Sequence, residues 1–199
     1  AHHALSAQFA DRKNTKISQA LVCGQPAKER IIVKAPIARH PVHRKKMAIV
    51  ERGRDSHTDF RVLEALRDSA LVEATLHTGR THQIRVHLQH LGCPLVGDPV
   101  YGGRPARQFT QSTGYEAPRQ MLHAAALGFT HPLSGEKMEL NAPLPADFMD
   151  ARNLLQPHER GRSRPFFCFH RPPPLRYPPR PVLWLTSPLS IWICRVNAC

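Results

Sequence analysis

Two periods of apolar residues divide the chain into its elements. Leu5 and Phe9 stand at i and i+4 and predict a helix over residues 2 to 11. Thr15 to Gly24 (TKISQALVCG) predicts a strand ending at a turn, and Arg30 to Ile37 a second strand, stopped by Pro36. Arg39 to Met47 is a cationic loop, and Glu51 to Asp55 a turn. His57 to Leu66 alternates, with Phe60 and Val62 on one side and Asp59 and Arg61 on the other. Ala70 to Thr78 alternates again, with Val72, Ala74 and Leu76 inward. These two predict an antiparallel pair with one wet face.

The period then changes. Ile84, Leu88 and Leu91 follow at i, i+4 and i+7, which predicts a helix over 82 to 91 with one apolar face. Thr81 is the expected N-cap, because its hydroxyl can take a free N–H of the first turn. Gly92 is placed to close the helix at C′, and Pro94 forbids its continuation. His82, Gln83, Arg85, His87, Gln89 and His90 are assigned to the opposite, donor-rich faces. Pro94 to Pro99 gives a buried step and a turn in which Asp98 can bond to the backbone.

Beyond Gly103 the sequence is polar and irregular to Pro118. Met121 to Phe129 (MLHAAALGF) is apolar and fits helix or strand. His131 to Gly135 reads as a hairpin turn, Lys137 to Leu140 as a return strand, and Pro145 to Leu155 as an amphipathic helix. From Pro157 the pattern stops. Nine of the 19 prolines fall there, Glu159 is the only acid, and no lysine occurs. Val182 to Val196 is apolar but too short and too broken, by Pro188, to span a membrane.

Charge narrows the partners. The 199 residues carry 28 Lys+Arg against 15 Asp+Glu, a net +13. That excess favours a polyanion, since each phosphate contact releases counterions. Aromatic residues, at 7%, are too few for a base-stacking sheet. The five cysteines (Cys23, Cys93, Cys168, Cys194, Cys199) are odd in number and hold no C-x-x-C pair. This points to a reducing, cytoplasmic setting and away from a disulfide framework or zinc knuckle. His82, His87 and His90 stand at i, i+5 and i+8, not at the i, i+4 spacing of a two-histidine helix site, so no metal is expected. The chain opens Ala-His-His-Ala with no leader pattern, which reads as a fragment.

The run Leu76 to Gly103 (LHTGRTHQIRVHLQHLGCPLVGDPVYGG) closely resembles the third motif of the RluA-type RNA pseudouridine synthases. In that family G-R-T-H-Q-I-R-x-H precedes L-G-x-P-L-x-G-D-x-x-Y-G. Here these are Gly79 to Arg85, His87, Leu91-Gly92, Pro94-Leu95, Gly97-Asp98 and Tyr101-Gly102. Shorter stretches agree. Lys16, Ala20, Leu21, Val22 and Gly24 match K-x-Y-x-A-L-V-x-G, with Ser18 where the family has tyrosine. Ile37, Arg39, His40, Pro41, Arg44 and Met47 match I-x-R-H-P-x-x-R-x-x-M, and Leu122-His123-Ala124 matches a family strand.

The resemblance covers residues 1 to about 155. It implies an α+β fold, a mostly antiparallel mixed sheet with flanking helices, truncated at the N-terminus. Residues 1–155 would be part of the catalytic domain, and 156–199 a Pro/Arg-rich tail, disordered or aberrant. The family isomerises uridine in RNA without metal or cofactor, using an aspartate in an H-R-L-D segment. An arginine of the third motif pairs with that aspartate and keeps it ionised. The target uridine leaves its stack to reach them.

By this resemblance Arg85 is the catalytic arginine, and Arg80, Thr81, His82, Gln83 and Ile84 bind substrate. Arg39, His40, Arg44, Lys45 and Lys46 would bind RNA, ribosomal or transfer. None of the seven aspartates in the chain stands in an H-R-L-D context. The implied protein is a monomer that binds RNA and needs no membrane, metal or cofactor, inactive without the missing aspartate. The alternatives are a non-catalytic RNA-binding remnant of the same fold and an unrelated basic metal-binding protein.

Overall fold

The computed structural model describes residues 2–10 and 14–157. The tail from residue 158, and with it the expectation of disorder, lies outside the described residues. The chain opens with helix α1 (His2–Ala10), followed by β1 (Thr15–Cys23), β2 (Arg30–Lys34), β3 (Ile37–Arg39) and β4 (Met47–Ile49). Then come β5 (His57–Leu66), β6 (Ser69–Leu76), α2 (Gln83–His90) and α3 (Gly103–Thr113). Strands β7 (Leu122–Thr130) and β8 (Lys137–Asn141) precede helix α4 (Ala146–Leu154).

Six strands form one sheet in the order β2-β5-β6-β1-β7-β8. Every neighbouring pair in it is antiparallel. The fold is α+β on an antiparallel sheet, as the sequence implied. Strand β1 lies inside it, with Ser18 opposite Ala74 of β6 and Ala124 of β7. Successive residues of β1 face opposite ways. Ala20 and Val22 pack with Phe60, Val72 and Ala74 beneath Ile84 and Leu88 of α2. Leu21 and Cys23 face the other side, where Leu71, Phe109 of α3 and Phe148 of α4 cover them. Burial on both sides explains the unbroken apolar run Ala20 to Cys23, which a one-sided strand would not need. Burying each large apolar side chain contributes about 1.5–3 kcal/mol, so α2, α3 and α4 are fixed by these contacts.

The structure departs from the sequence pattern at several places. The second strand ends at Lys34, not Ile37, since Pro36 has no N–H to donate. Ile37–Arg39 instead pairs with Met47–Ile49 in a separate two-stranded ribbon, and the cationic loop is its turn. The wet face of β5 and β6 gives way at Leu66 and Leu71, which are buried under α3 and α4. The stretch after Gly103, expected to be irregular, contains α3. Its apolar anchors are only Ala106 and Phe109, too few to show a period. Pro105 sits in its first turn, where a missing N–H costs nothing. Met121 to Phe129 resolves as strand β7.

Candidate functional site

Between β6 and α2 the chain makes a tight loop whose shape is set by Gln83. Its Oε1 accepts from the Thr78 hydroxyl at 2.7 Å and from the Arg80 N–H at 2.9 Å. Its Nε2 donates to the His57 carbonyl at 3.0 Å and to Thr58 Oγ1 at 2.9 Å. Thr78 Oγ1 also accepts from the His57 N–H at 2.9 Å. Every donor and acceptor of this buried amide is used. Gln83, assigned to a donor-rich outer face, therefore faces inward and holds the loop.

His87 is likewise inward, at 0% exposure. Its Nε2 lies 3.2 Å from the Ala35 carbonyl, which can only accept, so Nε2 carries the proton. Nδ1, 2.9 Å from Thr58 Oγ1, then accepts from that hydroxyl. Burial pushes the imidazole below its ordinary range; the Ala35 bond opposes this, while His90 and His57 add to it. The helix has buried polar residues on what its sequence presents as a wet face.

The N-cap is His82, not Thr81. His82 adopts a left-handed backbone (φ 56°, ψ 22°), and no side chain caps the first turn. Such a conformation costs a non-glycine residue on the order of 1 kcal/mol and persists where its surroundings enforce it. Here Tyr101 is one of those surroundings. Its hydroxyl accepts from the Met47 N–H at 2.8 Å and lies 2.9 Å from His82 Nδ1. Burial lowers the His82 pKa, Arg85 adds to this, and Asp98 opposes it.

Arg85 carries the centre of the site. Its Nε and Nη2 donate to Asp98 Oδ2 and Oδ1, each at 2.8 Å. The Asp98 side chain is wholly buried and that of Arg85 11% exposed. Asp98 Oδ1 also accepts from the N–H groups of Val100 and Tyr101. Burial raises the Asp98 carboxyl, but Arg85 and those two N–H groups outweigh it and hold it below its ordinary range. The Tyr101 ring stands 4.8 Å from the guanidinium as a cation–π partner. Nη1 has no partner among the described residues, so this edge of a firmly oriented guanidinium remains for an incoming acceptor. The turn role read for Asp98 holds; its pairing with Arg85, thirteen residues away, was not read.

Of the other expected substrate residues, Ile84 lies in the core against β1 and β6, and Thr81 is exposed. The Arg80 side chain donates from Nε to the Asp55 carbonyl at 3.1 Å. Arg39, Arg44 and Lys45 are exposed, whereas Lys46 is partly buried and bonds the Val100 carbonyl at 3.0 Å. His40 accepts from the N–H groups of Val42 and His43 through Nδ1, and so shapes the loop. The loop borders a groove of about 690 Å³, lined among others by His40, His43, Lys46, His90, Tyr101 and Arg104. His90 enters this groove from α2, and Arg104 from α3, an element the linear pattern did not show.

The antiparallel sheet thus carries a groove bordered by the cationic loop, and beside it a nearly buried arginine on the motif helix. Residues 1–90 match the family model described as RNA pseudouridylate synthase. Over these residues the chain is similar to that family. It is 50% identical over 145 residues to an uncharacterized RNA pseudouridine synthase of Chloroflexus aurantiacus, covering 73% of this chain and 43% of the relative. With the ribosomal large subunit pseudouridine synthase D of Pseudomonas aeruginosa it shares 46% identity over 161 residues, 78% of this chain and 50% of that protein. The solved structure of human RNA pseudouridylate synthase domain containing 1 superposes with a TM-score of 0.66 at 31% identity, covering 78% of this chain and 64% of that one. The chain thus spans about half the length of the curated relatives it matches. Among the described residues no helix is long and apolar enough to cross a membrane.

Proposed function

We propose that this chain is the arginine-bearing part of an RluA-type RNA pseudouridine synthase acting on ribosomal or transfer RNA. The observation that carries the reading is the geometry of Arg85. Asp98 and Tyr101 fix its guanidinium and leave Nη1 for a second carboxylate, which in the family is the aspartate of the H-R-L-D segment. That aspartate would stay ionised beside a permanent cation and act on the ribose. The exposed cations Arg39, Arg44 and Lys45 and the groove beside them would hold the RNA backbone, since phosphate contacts position the nucleic acid. Arg80 and Thr81 lie at the entry to the motif helix, within reach of the same substrate.

The 199 residues contain no H-R-L-D aspartate, and an arginine stays protonated at any relevant pH and cannot replace it. This chain by itself therefore binds RNA without making pseudouridine. A second reading, an RNA-binding remnant with no catalytic partner, is favoured by Ser18. It stands where the family has tyrosine, is nearly buried, and faces only alanines across both neighbouring strands.

The experiment incubates uridine-labelled ribosomal and transfer RNA with the 199-residue chain and with a version extended upstream through the H-R-L-D segment. Pseudouridine from the extended version alone is the expected result. Conversion by the 199-residue chain would refute the assignment of Arg85 to a missing partner. Silence from both versions selects the remnant, and Ser18→Tyr in the extended version is then the informative variant.

A further inference from the structure

The β5–β6 register brings together three side chains that linear spacing keeps apart. His57 and Asp59 stand at i and i+2 on one face of β5, and His77 follows the end of β6 opposite His57. His57 Nε2 lies 2.8 Å from Asp59 Oδ1, and His77 Nε2 lies 2.8 Å from Asp59 Oδ2. The two imidazoles stack with centroids 4.0 Å apart and planes 17° from parallel. Both thus present the same ring nitrogen to one carboxylate. The side chains are 28%, 39% and 44% exposed for His57, Asp59 and His77, so an ion can reach them without opening the core. Burial pushes Asp59 up, but His77 and His57 outweigh it and hold the carboxylate ionised.

We propose that His57, Asp59 and His77 form a binding site for a divalent first-row transition metal ion, with zinc as the probe that fits it. Two imidazoles and one carboxylate are borderline and hard donors of the kind zinc takes, and they leave a coordination position for water. In a tetrahedral zinc site, bonds of about 2.0–2.1 Å place ligand atoms roughly 3.3 Å apart. The three ligand atoms here all lie within 4.8 Å of one another. The two imidazole–carboxylate distances of 2.8 Å are shorter than the tetrahedral spacing, so these groups would separate slightly around an ion. Neighbouring charge does not forbid the ion, because Arg61 is engaged by Glu73 at 3.0 Å. Binding needs the lone pairs of the two Nε2 atoms, which in the free chain face the Asp59 carboxylate.

The position has a consequence for the motif loop. The His57 N–H donates to Thr78, and the His57 carbonyl accepts from Gln83. A metal that fixes His57 and His77 therefore braces both ends of the loop that carries Arg80. The expectation of no metal rested on His82, His87 and His90, a set that draws on one helix. The converging set draws on two strands.

The test uses the whole tag-free chain, freed of metal, titrated with zinc by calorimetry and with cobalt by visible absorption. One site should disappear, or weaken by at least about tenfold, in each of His57→Ala, His77→Ala and Asp59→Asn. His123→Ala, remote from the cluster, controls for the remaining histidines and should bind as the parent does. Metal-free melting curves of the variants verify that the fold is intact, and zinc should raise the midpoint of the parent but not of His57→Ala. A parent chain that binds no zinc overturns the proposal. So does a His57→Ala/His77→Ala double variant that binds zinc as tightly as the parent.

Discussion

Arg85 and Asp98 meet as a two-bond ion pair with the carboxylate wholly buried. The pair joins the motif helix to the turn that follows it, and makes the guanidinium an oriented group, not a mobile surface cation. Removing one member of a buried pair strands the other, at a cost of about 3–5 kcal/mol.

Asp98→Asn isolates the charge. Asparagine Oδ1 can still accept from the Val100 and Tyr101 N–H groups, so the turn survives while the ion pair is lost. Chemical denaturation should show a loss of about 3 kcal/mol. The pH dependence has a fixed sign. The folded Asp98 carboxyl lies below its ordinary range. Its contribution is complete above the unfolded carboxylate value near ~3.9 and is lost as pH falls through the lower native value. The parent chain should therefore lose in strong acid a component that Asp98→Asn lacks.

His87 sets a second pH dependence, in a milder range. Its imidazole is neutral in the fold, because Nδ1 must accept from Thr58. Below the ordinary histidine value of about 6.5, the unfolded chain takes up a proton that the native state refuses. Stability should fall as the pH is lowered from 7 to 5, with His82 and His90 acting in the same direction. Thermal midpoints of His87→Gln across that range should show a shallower slope than the parent. A steeper slope, or a parent that is stabilised by acid, contradicts the tautomer assigned here.

Gly97 should tolerate no side chain. Its φ is +73°, and an added Cβ would lie 2.1 Å from the Arg119 carbonyl oxygen. The backbone at Asp98 would have to move with it. Gly97→Ala should cost at least about 1–3 kcal/mol in unfolding free energy, from the left-handed conformation alone. It should also weaken RNA binding less than it weakens stability, since the groove is built elsewhere.

Arg44→Gln/Lys45→Gln tests the cationic loop without disturbing the fold, because both side chains are exposed. Lys46 is left in place, as it holds the Val100 carbonyl. Each phosphate contact contributes roughly 0.7–0.9 to the slope of log K against log salt. The double variant should bind RNA more weakly, with that slope reduced by up to about 1.8. An unchanged slope would place the phosphate contacts elsewhere.

Much of the fold was legible because alternation and helical spacing survive in β5, β6 and α2. The ribbon and α3 were not. Ile37-Ala38 and Met47-Ala48-Ile49-Val50 are apolar runs too short to show a period on either side of a charged loop, and α3 has one buried phenylalanine. Such elements are stabilised by tertiary contacts that leave no period. The site divides in the same way. The motif made Arg85 stand out, and the Gly97-Asp98-Pro99 turn made Asp98 stand out. That they pair depends on a chain reversal at Gly92. Gln83 and His87 were misplaced because polarity was read as exposure, whereas each is buried with its hydrogen bonds complete. His57, Asp59 and His77 could not be seen as a set until the strands were in register.

Strand β1 pairs with β6 on one edge and with β7 on the other, and that arrangement sets an order of assembly. The first partner arrives within the first 76 residues, but the second is not made until Leu122 to Thr130 has been synthesised. Helix α1 waits for the same segment, since the Gln8 amide bonds both the N–H and the carbonyl of Thr130. Pairings this distant along the chain close slowly. On the ribosome, the β5–β6 hairpin and its contact with β1 can form early, while the other edge of β1 stays open until β7 emerges. The rate of native assembly is then governed by the last third of the described chain, far in sequence from the motif that carries Arg85.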